Sequence, residues 1–157
     1  MRRVLRALLC ALPLLAAGCG DASGPGDPDL TQVEFAPALN VDISTMTRVG
    51  DGVYIKDLVV GTGADVAAGK VVSTRYRGWL ANGTEFQNNL TAADPYPFVL
   101  GQRRVIAGWE EGIPGMKVGG KRLLVIPPSL GYGTQANGTI PANSVLVFQV
   151  EVVAQSS

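Results

Sequence analysis

Tyr76, Phe86, Tyr96, Phe98, Trp109, Tyr132 and Phe148 are spread along the C-terminal two-thirds of this chain of 157 residues. Any one of them alone reads as core. The residue types that usually carry chemistry are missing. There is no histidine, which excludes Ser-His-Asp and Cys-His catalysis and every His-ligated metal site. Both cysteines, Cys10 and Cys19, lie near the N-terminus, so the rest of the chain has no thiolate, disulfide or zinc cluster. Glu110 and Glu111 are adjacent and cannot flank one reacting bond as a carboxylate pair would. Gly115 to Lys121 spells G-x-x-x-x-G-K, but Arg122 stands where Ser or Thr would hold magnesium. The run after it reads as strand, whereas a phosphate loop needs a helix N-terminus. The sequons at Asn82, Asn89 and Asn137 are short patterns that arise by chance, and no basic patch suggests nucleic acid. What remains is the set of aromatics spread along strands and loops.

The elements around these residues are mostly strands. Residues 52–60 form a β-branched run that ends at a Gly61-Thr62-Gly63 turn. Residues 71–80 alternate and precede Asn82-Gly83, a strong hairpin signal. Residues 84–87 resume a strand, 88–97 read as a loop with two prolines, and 98–100 as a short strand. Residues 121–126 and 145–153 are strongly β. Between them Ile106, Trp109 and Ile113 recur at helical spacing within 105–113, and Gly108 and Gly112 limit the helix. One short helix against an antiparallel sheet predicts an α+β fold.

Order and spacing join the aromatics into a pattern. Tyr76-Arg77-Gly78, Gly83-Thr84-Glu85-Phe86, Val105-Ile106-Ala107-Gly108-Trp109-Glu110-Glu111-Gly112, Met116-Lys117-Val118-Gly119, Gly131-Tyr132-Gly133, Ile140-Pro141 and Leu146-Val147-Phe148 follow one another. This set resembles the FKBP-type peptidyl-prolyl cis-trans isomerase family over about residues 51–154. The resemblance implies a twisted antiparallel β-sheet wrapped around one short α-helix. It also implies that Trp109 floors a proline pocket, with Tyr76, Phe86, Tyr96, Val105, Ile106, Ile140 and Phe148 matching its walls. The Ile106 N–H and the Tyr132 hydroxyl match the groups that bind substrate carbonyls, and Phe98 fits a core position beside the pocket. Tyr76, Phe86, Trp109, Tyr132 and Phe148 are the expected catalytic set. Tyr96, Gln87, Val105, Ile106 and Ile140 are the expected substrate contacts.

Such chemistry needs no cofactor, acid, base or nucleophile. Rotation about an X–Pro bond meets a barrier of about 20 kcal/mol. Twisting the amide costs its resonance and reduces its polarity. A dry pocket that fits the twisted form better than either planar isomer therefore lowers the barrier. The sequence departs from the family at Gln87, where an aspartate is usual, and the arginine that pairs with that aspartate is absent from residues 88–97. Losing both avoids an unpaired buried charge. Tyr96 stands in place of a more usual phenylalanine, and the loop between Tyr132 and Ile140 is short.

The first residues read as a leader. Arg2, Arg3 and Arg6 precede a short apolar run interrupted by Pro13, in the form of a secretory signal peptide. That run is too short for a span of ~20 residues. Leu15-Ala16-Ala17-Gly18-Cys19 resembles the bacterial lipobox, which implies cleavage before Cys19 and acylation there. Removing residues 1–18 takes away three arginines and no acid, leaving 10 basic and 13 acidic residues, a charge of −3. The expected organisation is a signal peptide over 1–18, a lipid-anchored linker over 19–29, an extension over 30–50 and the isomerase domain over 51–154. Gly, Pro and Asp dominate residues 20–29 and favour a tether; the extension has apolar residues without a placeable pattern. The expectation is an exported, membrane-anchored monomer that takes proline-containing polypeptides, with the family's macrolide inhibitors as ligands, and accelerates folding of exported proteins. The competing reading is a non-catalytic proline-peptide-binding chaperone or adaptor, which Gln87 favours.

Overall fold

The computed structural model describes residues 26–156. The leader, Cys19 and the first part of the linker lie outside the described residues. Seven strands form one antiparallel sheet: β1 (Thr47–Val49), β2 (Val53–Val59), β3 (Val71–Leu80), β4 (Glu85–Asn88), β5 (Tyr96–Val99), β6 (Lys121–Ile126) and β7 (Leu146–Ser156). The order is β1-β2-β6-β7-β3-β4, and β5 also pairs with β3. The single α-helix among the described residues, α1 (Ala107–Gly112), packs on one face. The expected α+β architecture is present.

Alternation fixes which face of β3 is buried. Val72, Thr74, Tyr76 and Gly78 are buried, and the residues between them are partly exposed. The run β6 differs, because Arg122 through Ile126 are all buried. Period two then requires cover on both faces. On one face, Leu124 and Ile126 join Trp109, Ile113 and Phe148 in the main core. On the other, Leu123, Val125 and Val147 meet Leu30 in a second cluster, with Val33, Phe35, Leu39, Val41 and Ile43 packed against it. The extension whose apolar residues had no readable period is thus a strap over the outer face. Three short 3-10 turns, Leu30–Gln32, Pro37–Leu39 and Ile43–Thr45, fold it back and forth. Asp29 and Asp42 each accept a backbone N–H at the start of a turn. The strap begins at Asp27, whose carboxylate accepts the Ser129 N–H at 2.9 Å and also the Ser129 hydroxyl.

Most strand ends shift by one to three residues from the sequence expectation, and two of the differences bear on the site. The fifth strand covers Tyr96–Val99 rather than 98–100, with Pro97 opposite Ser73. A proline is tolerated there because β5 is an edge strand whose outer side needs no ladder donor. The helix is shorter than 105–113. Ile106 is its N-cap at φ −59°, ψ 149°, and Val105 lies in the bend before it.

Arg122 ties the helix to the sheet. It is buried on β6, and its Nε and Nη2 donate to the Asp57 carboxylate at 2.6 and 3.0 Å. Its Nη1 donates to the carbonyls of Gly112 and Pro114 at 2.8 and 3.0 Å. Gly112 is the last residue of the helix and Pro114 follows its C-cap, so both carbonyls lack intrahelical partners, and a cation suits that end. The surface pairs Lys117–Asp65 and Lys121–Glu151 join more exposed lysines and contribute ~0–1 kcal/mol each. Arg122→Ala strands two carbonyls and a carboxylate at once. It should lower the unfolding free energy in urea by about 2–4 kcal/mol, whereas Lys117→Ala should change it by less than about 1 kcal/mol.

Candidate functional site

The Trp109 indole lies where β3, β5 and β7 face the helix. Tyr76 meets it edge-on at 4.9 Å and Phe148 edge-on at 5.4 Å, with Phe98 tilted at 5.8 Å. Tyr96 continues the array to Tyr76 at 6.0 Å and to Phe98 at 6.2 Å. Each well-formed aromatic pair adds ~0.5–1.5 kcal/mol beyond burial, so the rings hold one another in place without a ligand. The indole Nε1–H is buried with no acceptor among the described residues. Its place in the array therefore rests on ring size and packing rather than on a hydrogen bond.

Above the indole is an open cavity of about 370 Å³. Tyr76, Phe148 and Trp109 line its apolar depth; Val105, Ile106, Tyr96, Tyr132, Gln87 and Arg104 complete its wall and mouth. Eight of these nine are residues singled out from sequence. Phe86 and Ile140 are not on the lining: Phe86 stands edge-on behind Phe148 at 5.5 Å, and Ile140 is buried in the core. Phe98 supports Trp109 and Tyr96 from within the core. Gly78 makes the backing layer possible. A Cβ there would lie 2.7 Å from both the Phe86 and the Phe148 rings.

Two polar devices shape the wall. The outer edge of β3 pairs with β5 over Val71–Thr74 and with β4 over Arg77–Trp79, leaving a break between them. The Asn89 amide fills that break. Its Oδ1 accepts the Tyr76 N–H at 2.6 Å, and its Nδ2 donates to the Thr74 carbonyl at 3.2 Å. The Asn89 N–H in turn donates to the Tyr76 carbonyl at 3.0 Å. Arg75 then clamps the following loop by donating to the Leu90 and Ala92 carbonyls at 3.0 and 2.9 Å. This loop joins the strand of Gln87 to that of Tyr96, so both are positioned without an acid–arginine pair inside the loop.

Hydrogen-bond donors border the cavity. The Ile106 N–H precedes the first helical turn and has no acceptor among the described residues. Tyr132 follows the Pro128–Leu130 turn, which Asp27 caps. Burial raises the Tyr132 and Tyr76 phenol pKa values, and the neighbouring tyrosines raise them further. Both hydroxyls thus stay protonated. Sequence reasoning missed Arg104, Arg75 and Asn89. Arg104 adjoins the Val105-Ile106 motif, and that position was its one available signal.

Comparison with known proteins agrees with this geometry. The sequence pattern of the FKBP-type peptidyl-prolyl cis-trans isomerase family matches residues 63–153. A protein named FK506-binding protein from Neisseria meningitidis serogroup B is 46% identical over 103 residues, 65% of this chain and 94% of that protein. The crystal structure of AtFKBP13 matches with a TM-score of 0.65 and 35% identity, covering 71% of this chain and 98% of that one. FkpA from Escherichia coli matches with a TM-score of 0.65 and 38% identity, covering 71% of this chain and 51% of that one. The fold is the one these structures share.

No histidine, cysteine or carboxylate lines the cavity. Binding of an uncharged ligand there, followed by Trp109 fluorescence in a Trp79→Phe background, should be flat from about pH 6 to 9. The raised phenol values set the sign at higher pH. The unfolded chain loses those protons first, at about pH 10, so their stabilisation is complete below that value and is lost as pH rises through the folded-state values. The thermal midpoint should therefore fall above about pH 10, and less steeply in Tyr132→Phe.

Proposed function

This chain belongs to the FKBP-type peptidyl-prolyl cis-trans isomerase family, and on that premise we propose that its aromatic cavity binds X–Pro segments and lowers the barrier to their rotation. The observation that carries the reading is a preorganised apolar cavity, floored by Trp109, whose lining contains no acid, base or nucleophile. The prolyl ring lies on the indole between Tyr76 and Phe148, with Val105 and Tyr96 at its sides. The Ile106 N–H and the Tyr132 hydroxyl donate to carbonyls flanking the bond and hold the peptide bent. Leaving water removes the solvation that favours the polar planar amide, so the less polar twisted form is favoured relative to both planar isomers. Phe86 and Ile140 act from behind, by fixing Phe148 and the core under the cavity mouth.

Gln87 sits at the edge of this space on β4, opposite Gly78. Its amide donates to a substrate carbonyl without bringing a charge into the cavity. FK506-type macrolides are the drug ligands this reading implies. The leader and the Cys19 context support export and lipid anchoring, so the substrates are exported polypeptides passing through slow prolyl steps.

Acceleration of cis-trans exchange in a proline peptide by the purified chain tests the main claim. Trp109→Ala should lower kcat/KM by at least about ten-fold. A folded Trp109→Ala protein with full activity overturns the pocket assignment, and tight peptide binding without acceleration would make the chain an adaptor instead. Cys19→Ser should move the protein from the membrane to the soluble fraction on cell fractionation; unchanged membrane association refutes the lipid anchor.

A further inference from the structure

We infer that Arg104 makes the cavity selective for prolines with an acidic residue immediately before or after them. The inference rests on the prolyl-peptide reading and adds a substrate class to it. Arg104 is the one charged residue on the lining; the polar groups beside it are the Gln87 amide and the hydroxyls of Tyr76, Tyr96 and Tyr132. Its side chain is exposed and makes no ion pair or hydrogen bond among the described residues. Three carboxylates of this region are engaged elsewhere. Glu110 accepts the Gly101 N–H at 2.6 Å, Glu111 accepts the Asp51 N–H at 3.0 Å, and Glu85 pairs with Arg77.

An unpaired guanidinium at the mouth of a low-dielectric cleft sets a positive local potential. Arg104 precedes by two residues the Ile106 N–H that borders the cavity. Adjacent substrate residues are ~3.8 Å apart, so a residue next to a seated proline is within reach of a long arginine side chain. A carboxylate there gains a charge-assisted, bidentate contact, while a lysine is repelled. Gln87 and the tyrosine hydroxyls add donors and oppose neither effect.

The test uses peptides with Glu, Gln or Lys on either side of one proline, titrated by Trp109 fluorescence in a Trp79→Phe background and assayed for isomerisation. At about 20 mM salt the Glu peptides should bind about five-fold more tightly than the Lys peptides, converging by about 0.5 M salt. Arg104→Gln should bring the Glu-to-Lys ratio to about one, and Arg104→Glu should invert it. Equal affinities at low salt, or a Glu preference that survives in Arg104→Gln, overturn the inference alone. Failure of every proline peptide to bind overturns the prolyl-peptide reading and this inference with it.

Discussion

Helix α1 must lie close enough to the sheet for Trp109 to reach the aromatic side chains of β3, β5 and β7. Two missing side chains permit that approach. A Cβ at Gly108 would run into the Ile126 side chain, and one at Gly112 into Leu124. With glycine at both positions the helix backbone packs onto β6 and the indole is set into the core, 4% exposed. Glycine weakens a helix interior by ~1 kcal/mol, and this helix is only six residues long. Its stability therefore comes from the sheet, through the Ile113 and Trp109 packing and the Arg122 contacts to its C-terminal carbonyls. The floor of the cavity is as firm as that docking.

The opposite face of the sheet meets the same constraint in another way. Strand β6 and the first residues of β7 are apolar on both sides, so helix α1 alone leaves Leu123, Val125 and Val147 facing water. Residues 27–46 cover them. Fully burying one side chain such as Leu30 contributes ~1.5–3 kcal/mol. The strap also reaches the site: Asp27 caps the turn that precedes Tyr132, so one segment covers the outer sheet and braces the mouth of the cavity. Position in the chain hides this link, because residues 27 and 129 are far apart in sequence.

Much of this was legible in the sequence, and the exceptions share a cause. The strands at 71–80 and 121–126 end where their alternation or apolar run ends, and Asn82-Gly83 forms the expected turn. The helix was placed by Ile106, Trp109 and Ile113, although it starts at Ala107, two residues later than expected. The strap was not placeable, because its three 3-10 turns impose neither period two nor period 3.6. Its existence could have been inferred from β6 instead, since Leu123-Leu124-Val125-Ile126 needs cover on both faces. Tyr96-Pro97 read as loop because a proline argues against strand, and only the edge position removes the objection. The ring cluster followed from the ordered motifs. Asn89 and Arg75 did not, because a side chain that replaces a stretch of ladder leaves no mark on local pattern.

The polar groups divide between structure and recognition. Arg75 donates to backbone carbonyls, Arg122 to two carbonyls and the Asp57 carboxylate, Arg77 to Glu85, and Asn89 bridges the broken edge of β3. These groups have satisfied partners and are fixed in place. At the cavity the reverse holds: among the described residues the Ile106 N–H lacks a partner and the Arg104 guanidinium has no counterion, and the Tyr132 phenol is kept protonated. Unsatisfied donors around an apolar floor favour a ligand that is apolar at its centre and rich in acceptors at its flanks. A proline between two peptide carbonyls has that distribution. With neutral Gln87 on the wall, the charge at the mouth falls to Arg104, so the cavity interior responds to shape and the rim to the sign of the neighbouring residue.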